Sequence, residues 1–198
     1  KQMRLDSTDL AQVIEDCLDR KQPILSIVAV LGTTEFGTID PIHKVIELKT
    51  KYQDSHFLPI HIDAAWGGYL CSIFKDANQE WKPRESILQD FNYFPSHHVY
   101  NSFSALKDVD SITVDPHKLG YIPYPAGAYV CKHVGMIEFI MQKAAYVFEN
   151  EVGPSNEELI HNLGQYILEG SKPGSAAAAV YVTHKTCLLY TSDAADES

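Results

Sequence analysis

The sequence has no C-x-x-C pair: its four cysteines, Cys17, Cys71, Cys131 and Cys187, stand far apart and away from any ligand-like group of histidines. That argues against a thiolate metal site and favours free thiols in a reducing compartment over a disulfide framework. The nine histidines include no H-E-x-x-H, so no zinc site is expected. A P-loop and a G-x-G-x-x-G fingerprint are both missing, and any phosphate must be held by other means. No apolar run reaches membrane-spanning length, and the first residues lack a signal-peptide pattern. Arginine is scarce, with only Arg4, Arg20 and Arg84. Basic residues are outnumbered 16 to 26, and the net charge of −10 argues against nucleic acid or an anionic membrane as partner. The expectation is a cytoplasmic protein.

What remains is an ordinary globular composition, 45% hydrophobic and 21% charged over 198 residues, enough for one domain with its own core. "STDLAQVIEDCLDRK" predicts a helix capped by Ser7 or Thr8, with Leu10, Val13, Ile14, Cys17 and Leu18 on one stripe. "ILSIVAVLGTT" (24–34) is a near-continuous apolar, β-branched run, the pattern of a strand covered on both faces. A second amphipathic helix is predicted over 40–53, with Pro41 in its first turn. A short buried strand follows within 58–68, then a polar and aromatic insertion (75–108) that is partly helical. Strands are expected at 111–114 and 126–132, and helices at 134–148, 157–168 and about 173–184. This alternation predicts an α/β fold with a mostly parallel sheet and no linker dividing it.

In open α/β sheets ligands bind beyond the carboxyl ends of the strands. Three such ends carry distinctive groups: Thr33-Thr34, Asp63-Ala64-Ala65 and His117-Lys118. Taken singly, these are turn chemistry, a helix cap and a solvated lysine. Together, hydroxyl, carboxylate and lysine are the minimum set for holding pyridoxal phosphate. The lysine binds the aldehyde covalently, and the carboxylate keeps the pyridine nitrogen protonated so that the ring draws electrons. Small residues after the carboxylate leave room for the ring.

"VAVLGTTEFGTIDPI", "HIDAAWGGYL" and "SITVDPHKLGYIPYPAGA" resemble the group II pyridoxal-phosphate-dependent amino-acid decarboxylases. "DPHKLGYIPY", "AAYVFE", "YILEGSKPG" and the long insertion between Asp63 and Lys118 bring the chain nearest to the bacterial tyrosine decarboxylases within that group. The resemblance implies the type I, aspartate-aminotransferase-like large domain over residues 1–185. It implies that Lys118 is the Schiff-base lysine and Asp63 the partner of the pyridine nitrogen. Thr34 and Ala65 would line the ring, and His117 would lie beside the lysine near the cofactor phosphate. Tyr146 matches the proton donor of a mobile catalytic loop. Ser171 resembles a residue that reaches the phosphate from a neighbouring subunit, which implies a homodimer. Tyr124 is a candidate for the substrate pocket.

The implied reaction is decarboxylation of an L-amino acid, with L-tyrosine or another aromatic amino acid as the substrate. Trp66 keeps glutamate- or aspartate-type substrates open. An aminotransferase of the same fold is a competitor, although such enzymes hold the substrate carboxylate with arginine, which is scarce here. A non-catalytic binding protein retaining the fold is the alternative from another class. Family members are longer, so the chain is read as a piece, expected to be inactive alone. The ring-stacking histidine and main phosphate loop are expected before residue 1 and a small domain after residue 185. The ending "CLLYTSDAADES" resembles translated sequencing-adapter sequence, and residues 186–198 are therefore expected to be a non-native tail.

Overall fold

The computed structural model describes residues 3–133, 135–136 and 174–186. The chain divides into two compact units, Lys1–Val130 with Ala176–Ser198, and Cys131–Ser175. In the second unit the described contacts are local: the Cys131 thiol lies 3.5 Å from the His133 carbonyl, and the Met136 N–H donates to the same carbonyl.

The first unit is built on a sheet of order β1-β2-β3-β4. Its strands are β1 (Ile27–Val30), β2 (Ile60–Asp63), β3 (Ser111–Val114) and β4 (Ala128–Cys131). The pairs β1–β2 and β2–β3 are parallel, with Val30 opposite Asp63 and Asp63 opposite Thr113. Parallel neighbours need crossovers. Helix α2 (Ile42–Tyr52) makes the first. The second contains a 3-10 helix (Gly67–Phe74), α3 (Arg84–Asp90), α4 (His97–Ser104) and a shorter 3-10 turn (Ala105–Asp108).

Side chains alternate across a strand. One face of the sheet therefore presents Ile27, Ala29 and Leu31 with Ile60, Ile62 and Ala64, all buried. Onto this face pack Ile14 of α1 (Ser7–Asp19), Ile42 and Val45 of α2, Phe74, Ile87 of α3 and Phe103 of α4. The insertion thus contributes to the core through Ile87 and Phe103, and Phe74 stacks on Phe103 with ring centres 4.3 Å apart. Asp110 pins β2 to β3 from below: its carboxylate takes the Ile60 N–H at 2.7 Å and the Lys49 ammonium of α2 at 2.7 Å.

Two expectations are corrected. Asp6, not Ser7 or Thr8, caps α1, accepting from the Thr8 and Asp9 N–H groups. Three consecutive residues can cap, and the one whose backbone is extended takes the role. The strand within 24–34 is shorter than its apolar run, and its second face is less covered than the first: Val28 is 56% exposed and Val30 half-buried. An apolar run records what a strand tolerates, not what packs on it. The helix expected at about 173–184 is α5, Ser175–Thr186. Those expected at 134–148 and 157–168 lie outside the described residues, apart from Gly135 and Met136.

Candidate functional site

The three strand ends meet at one edge of the sheet because their strands are parallel and in register. The Leu31 N–H donates to the Asp63 carbonyl (2.8 Å), and the Ala64 N–H to Thr113 (3.0 Å). Beyond the strands the chain stays knitted: the Gly67 N–H donates to Leu31 (2.9 Å) and the Asp115 N–H to Ala65 (3.3 Å). A Cβ on Gly67 would stand 2.1 Å from the Leu31 carbonyl oxygen, so only glycine lets the chain turn this closely after Asp63-Ala64-Ala65.

Asp63 lies on the sheet face opposite the core, half-buried, with its carboxylate accepting the Ala65 N–H at 3.1 Å. His61, two residues earlier, shares that face. It meets the Ser111 hydroxyl at 2.8 Å, and its ring stacks on Tyr129 at 5.9 Å. Burial pushes the His61 pKa below its usual value, against the opposing pull of Asp63.

Lys118 ends a tight turn. Its N–H donates to the Asp115 carbonyl at 3.0 Å, closing Asp115-Pro116-His117-Lys118. Aspartate first and proline second are the favoured residues of such a turn, since proline presets its φ. The turn returns the lysine side chain over the aspartate, and Nζ lies 2.9 Å from the Asp115 carboxylate. His117 clamps the following loop: its N–H donates to the Ala126 carbonyl (3.2 Å), and its Nδ1 accepts the Ala126 N–H (3.1 Å). A nitrogen that accepts a backbone N–H carries no proton, which places the proton of the neutral ring on Nε2, 3.5 Å from Asp115. Tyr124 stacks on this ring at 3.9 Å and leaves its other side exposed.

Lys118, His117, Asp63 and Ala65 are thus brought to one edge. Thr34 follows β1 on the same edge but sits exposed in a turn, while Thr33 is absorbed by a hydroxyl contact to Thr38 at 2.8 Å. Tyr146 and Ser171 lie outside the described residues. Asp115 was not among the expected site residues; its signal is the turn itself, which fixes first and fourth side chains on one side.

Residues 1–92 match the pyridoxal-dependent decarboxylase conserved domain. The chain is 42% identical to the L-tyrosine decarboxylase of Enterococcus faecium, over 94% of this chain and 31% of that protein. It is 30% identical to the L-aspartate decarboxylase of Thermococcus kodakarensis, over 81% of this chain and 33% of that protein. The chain therefore spans about a third of the length of these relatives. The crystal structure of Oryza sativa TDC with PLP and tryptamine superimposes with a TM-score of 0.60 at 16% identity, over 92% of this chain and 31% of that one. At that identity the likeness establishes the fold.

Proposed function

We propose that this chain is the cofactor-binding part of an enzyme that decarboxylates an L-amino acid with pyridoxal phosphate, and that the substrate is L-tyrosine or another aromatic amino acid. The observation that carries the reading is the joining of the Lys118 turn to the Asp63-Ala64-Ala65 end of β2 through the Asp115 N–H. An amine and a carboxylate on adjacent parallel strand ends fit the two poles of the cofactor, aldehyde and ring nitrogen. The Lys118 side chain keeps 25% of its surface exposed and is open to a ligand.

When bound, the cofactor supplies an electron-withdrawing ring that accepts the electron pair left as CO2 departs. The Asp63 carboxylate would hold the proton on the ring nitrogen, and Lys118 would contribute the amine that fastens the cofactor. Ala65 and Thr34 would line the ring, and the His117 ring, fixed by Ala126, stands next to Lys118 in the chain. Tyr146 would deliver a proton to the substrate α-carbon, and Ser171 would hold the phosphate of a partner subunit in a homodimer. The enzyme works in the cytoplasm; among the described residues no helix is long and apolar enough to cross a membrane. Residues 1–185 form part of the large domain, and 186–198 are foreign to it.

The aromatic substrate is supported by the higher identity to a tyrosine decarboxylase than to an aspartate decarboxylase. An aminotransferase would hold the substrate carboxylate with an arginine, and this part of the protein offers none at the three strand ends: Arg84 is engaged with the Pro95 carbonyl in the insertion, and Arg4 and Arg20 are exposed. The test is to trap the full-length protein with borohydride in the presence of pyridoxal phosphate and to identify the products from L-tyrosine. The cofactor on Lys118, with CO2 and tyramine released, is the expected result. A keto acid would replace the reading with transamination, and no adduct would remove it.

A further inference from the structure

The Asp115 carboxylate has no place in the chemistry above, yet among the described residues it is the ion-pair partner of the Lys118 amine. Its backbone is held at both ends of the turn, by Ala65 through the N–H and by Lys118 through the carbonyl. Its side chain is mostly covered, with 21% exposed, and a Cβ on Gly127 would come within 3.4 Å of Oδ1. Oδ2 faces Lys118 Nζ at 2.9 Å and His117 Nε2 at 3.5 Å. We propose that Asp115 is the positioning counter-ion of Lys118: in the cofactor-free protein it holds the ammonium at the sheet edge, in the turn that is joined to the Asp63-Ala64-Ala65 end of β2.

A lysine has four rotatable bonds and, unpaired, sweeps a wide arc. A charge-assisted bond to a carboxylate three residues earlier removes that freedom before the ligand arrives. Once the amine is consumed, the carboxylate keeps the His117 Nε2–H as its neighbour and is not abandoned without a partner. Asp115 therefore acts only through Lys118, whose Nζ it contacts at 2.9 Å.

The inference rests on the reading of Lys118 as the cofactor amine, but its test does not. Full-length protein freed of cofactor is trace-labelled with acetic anhydride, and the acylation of each lysine is measured by mass spectrometry. Partly exposed ion pairs are worth up to about 1 kcal/mol. Lys118 should therefore react about two- to fivefold faster in Asp115→Asn than in the wild type, and Asp115→Glu should return most of the protection. Lys49, held by Asp110, is the internal control and should not change. A merely structural role would raise both lysines together. Equal Lys118 reactivity in wild type and D115N overturns the proposal, as does a rise shared with Lys49. A crystal structure of the cofactor-free wild type adds a reading that needs no variant: Nζ within hydrogen-bond distance of Asp115 is expected, and a lysine turned elsewhere contradicts it. Failure of the borohydride trap with this pairing intact would sink the enzyme reading alone.

Discussion

Replacing Gly67 by alanine tests whether the site edge is built as described. The added Cβ would lie 2.1 Å from the Leu31 carbonyl oxygen and 2.9 Å from its carbon, and both are backbone atoms that no rotamer change moves aside. To relieve the contact, the end of β1 and the turn after Asp63 must separate, and the Gly67 N–H to Leu31 bond of 2.9 Å goes with it. Overpacking of a dense site costs about 1–3 kcal/mol. The lost bond adds about 0.5–1.5 kcal/mol, so Gly67→Ala should cost about 2–4 kcal/mol. Urea removes about 1–3 kcal/mol per molar from a small domain, and more from a larger protein. In the full-length protein, about three times this length, the unfolding midpoint should therefore drop by several tenths of a molar, with weakened pyridoxal phosphate binding. Gly135, where a Cβ meets nothing within 4 Å, is the control, and its alanine variant should match the wild type. A Gly67→Ala protein with unchanged midpoint and cofactor binding would refute the close approach of β1 to the Asp63 turn.

Asp110→Asn should cost about 1–3 kcal/mol in the same assay, because it leaves the Lys49 ammonium without its charge partner and weakens the bond to the Ile60 N–H. Asp110→Ala, which removes both contacts, should cost more. Acidification should destabilise this unit through His43 and His61, whose pKa values burial lowers from 6.5. Between the lowered folded value and 6.5 the unfolded chain binds more protons, so stability falls as the pH drops through that window and is flat above it. The paired replacement of His43 and His61 by glutamine should flatten the urea midpoint just below pH 6.5 relative to wild type.

The parts of the fold legible in the sequence are those where a local pattern and a global demand coincide. Ile60 and Ile62 alternate with His61 and Asp63, and that alternation is what places a carboxylate opposite the core. Asp115-Pro116-His117-Lys118 carries its turn in its residue types. What escaped the sequence is what depends on neighbours. Val28 reads as buried because valine suits either face of a strand, and only the packing shows which face is covered. Asp6, Ser7 and Thr8 are equivalent as caps until the backbone selects one. The insertion over 75–108 reads as polar, aromatic and partly helical, and only the packing of Phe103 on Phe74, just before it, shows that its aromatic side belongs to the core. Asp115 was hidden by its own plausibility as a turn residue.

The central claim is that Lys118 fastens pyridoxal phosphate at an edge shared with Asp63. Borohydride reduction of the full-length protein with bound cofactor, followed by peptide mapping, measures it directly. A reduced adduct on the peptide containing Lys118, lost in Lys118→Ala, is the predicted result. An adduct on another lysine, or none, would contradict the account.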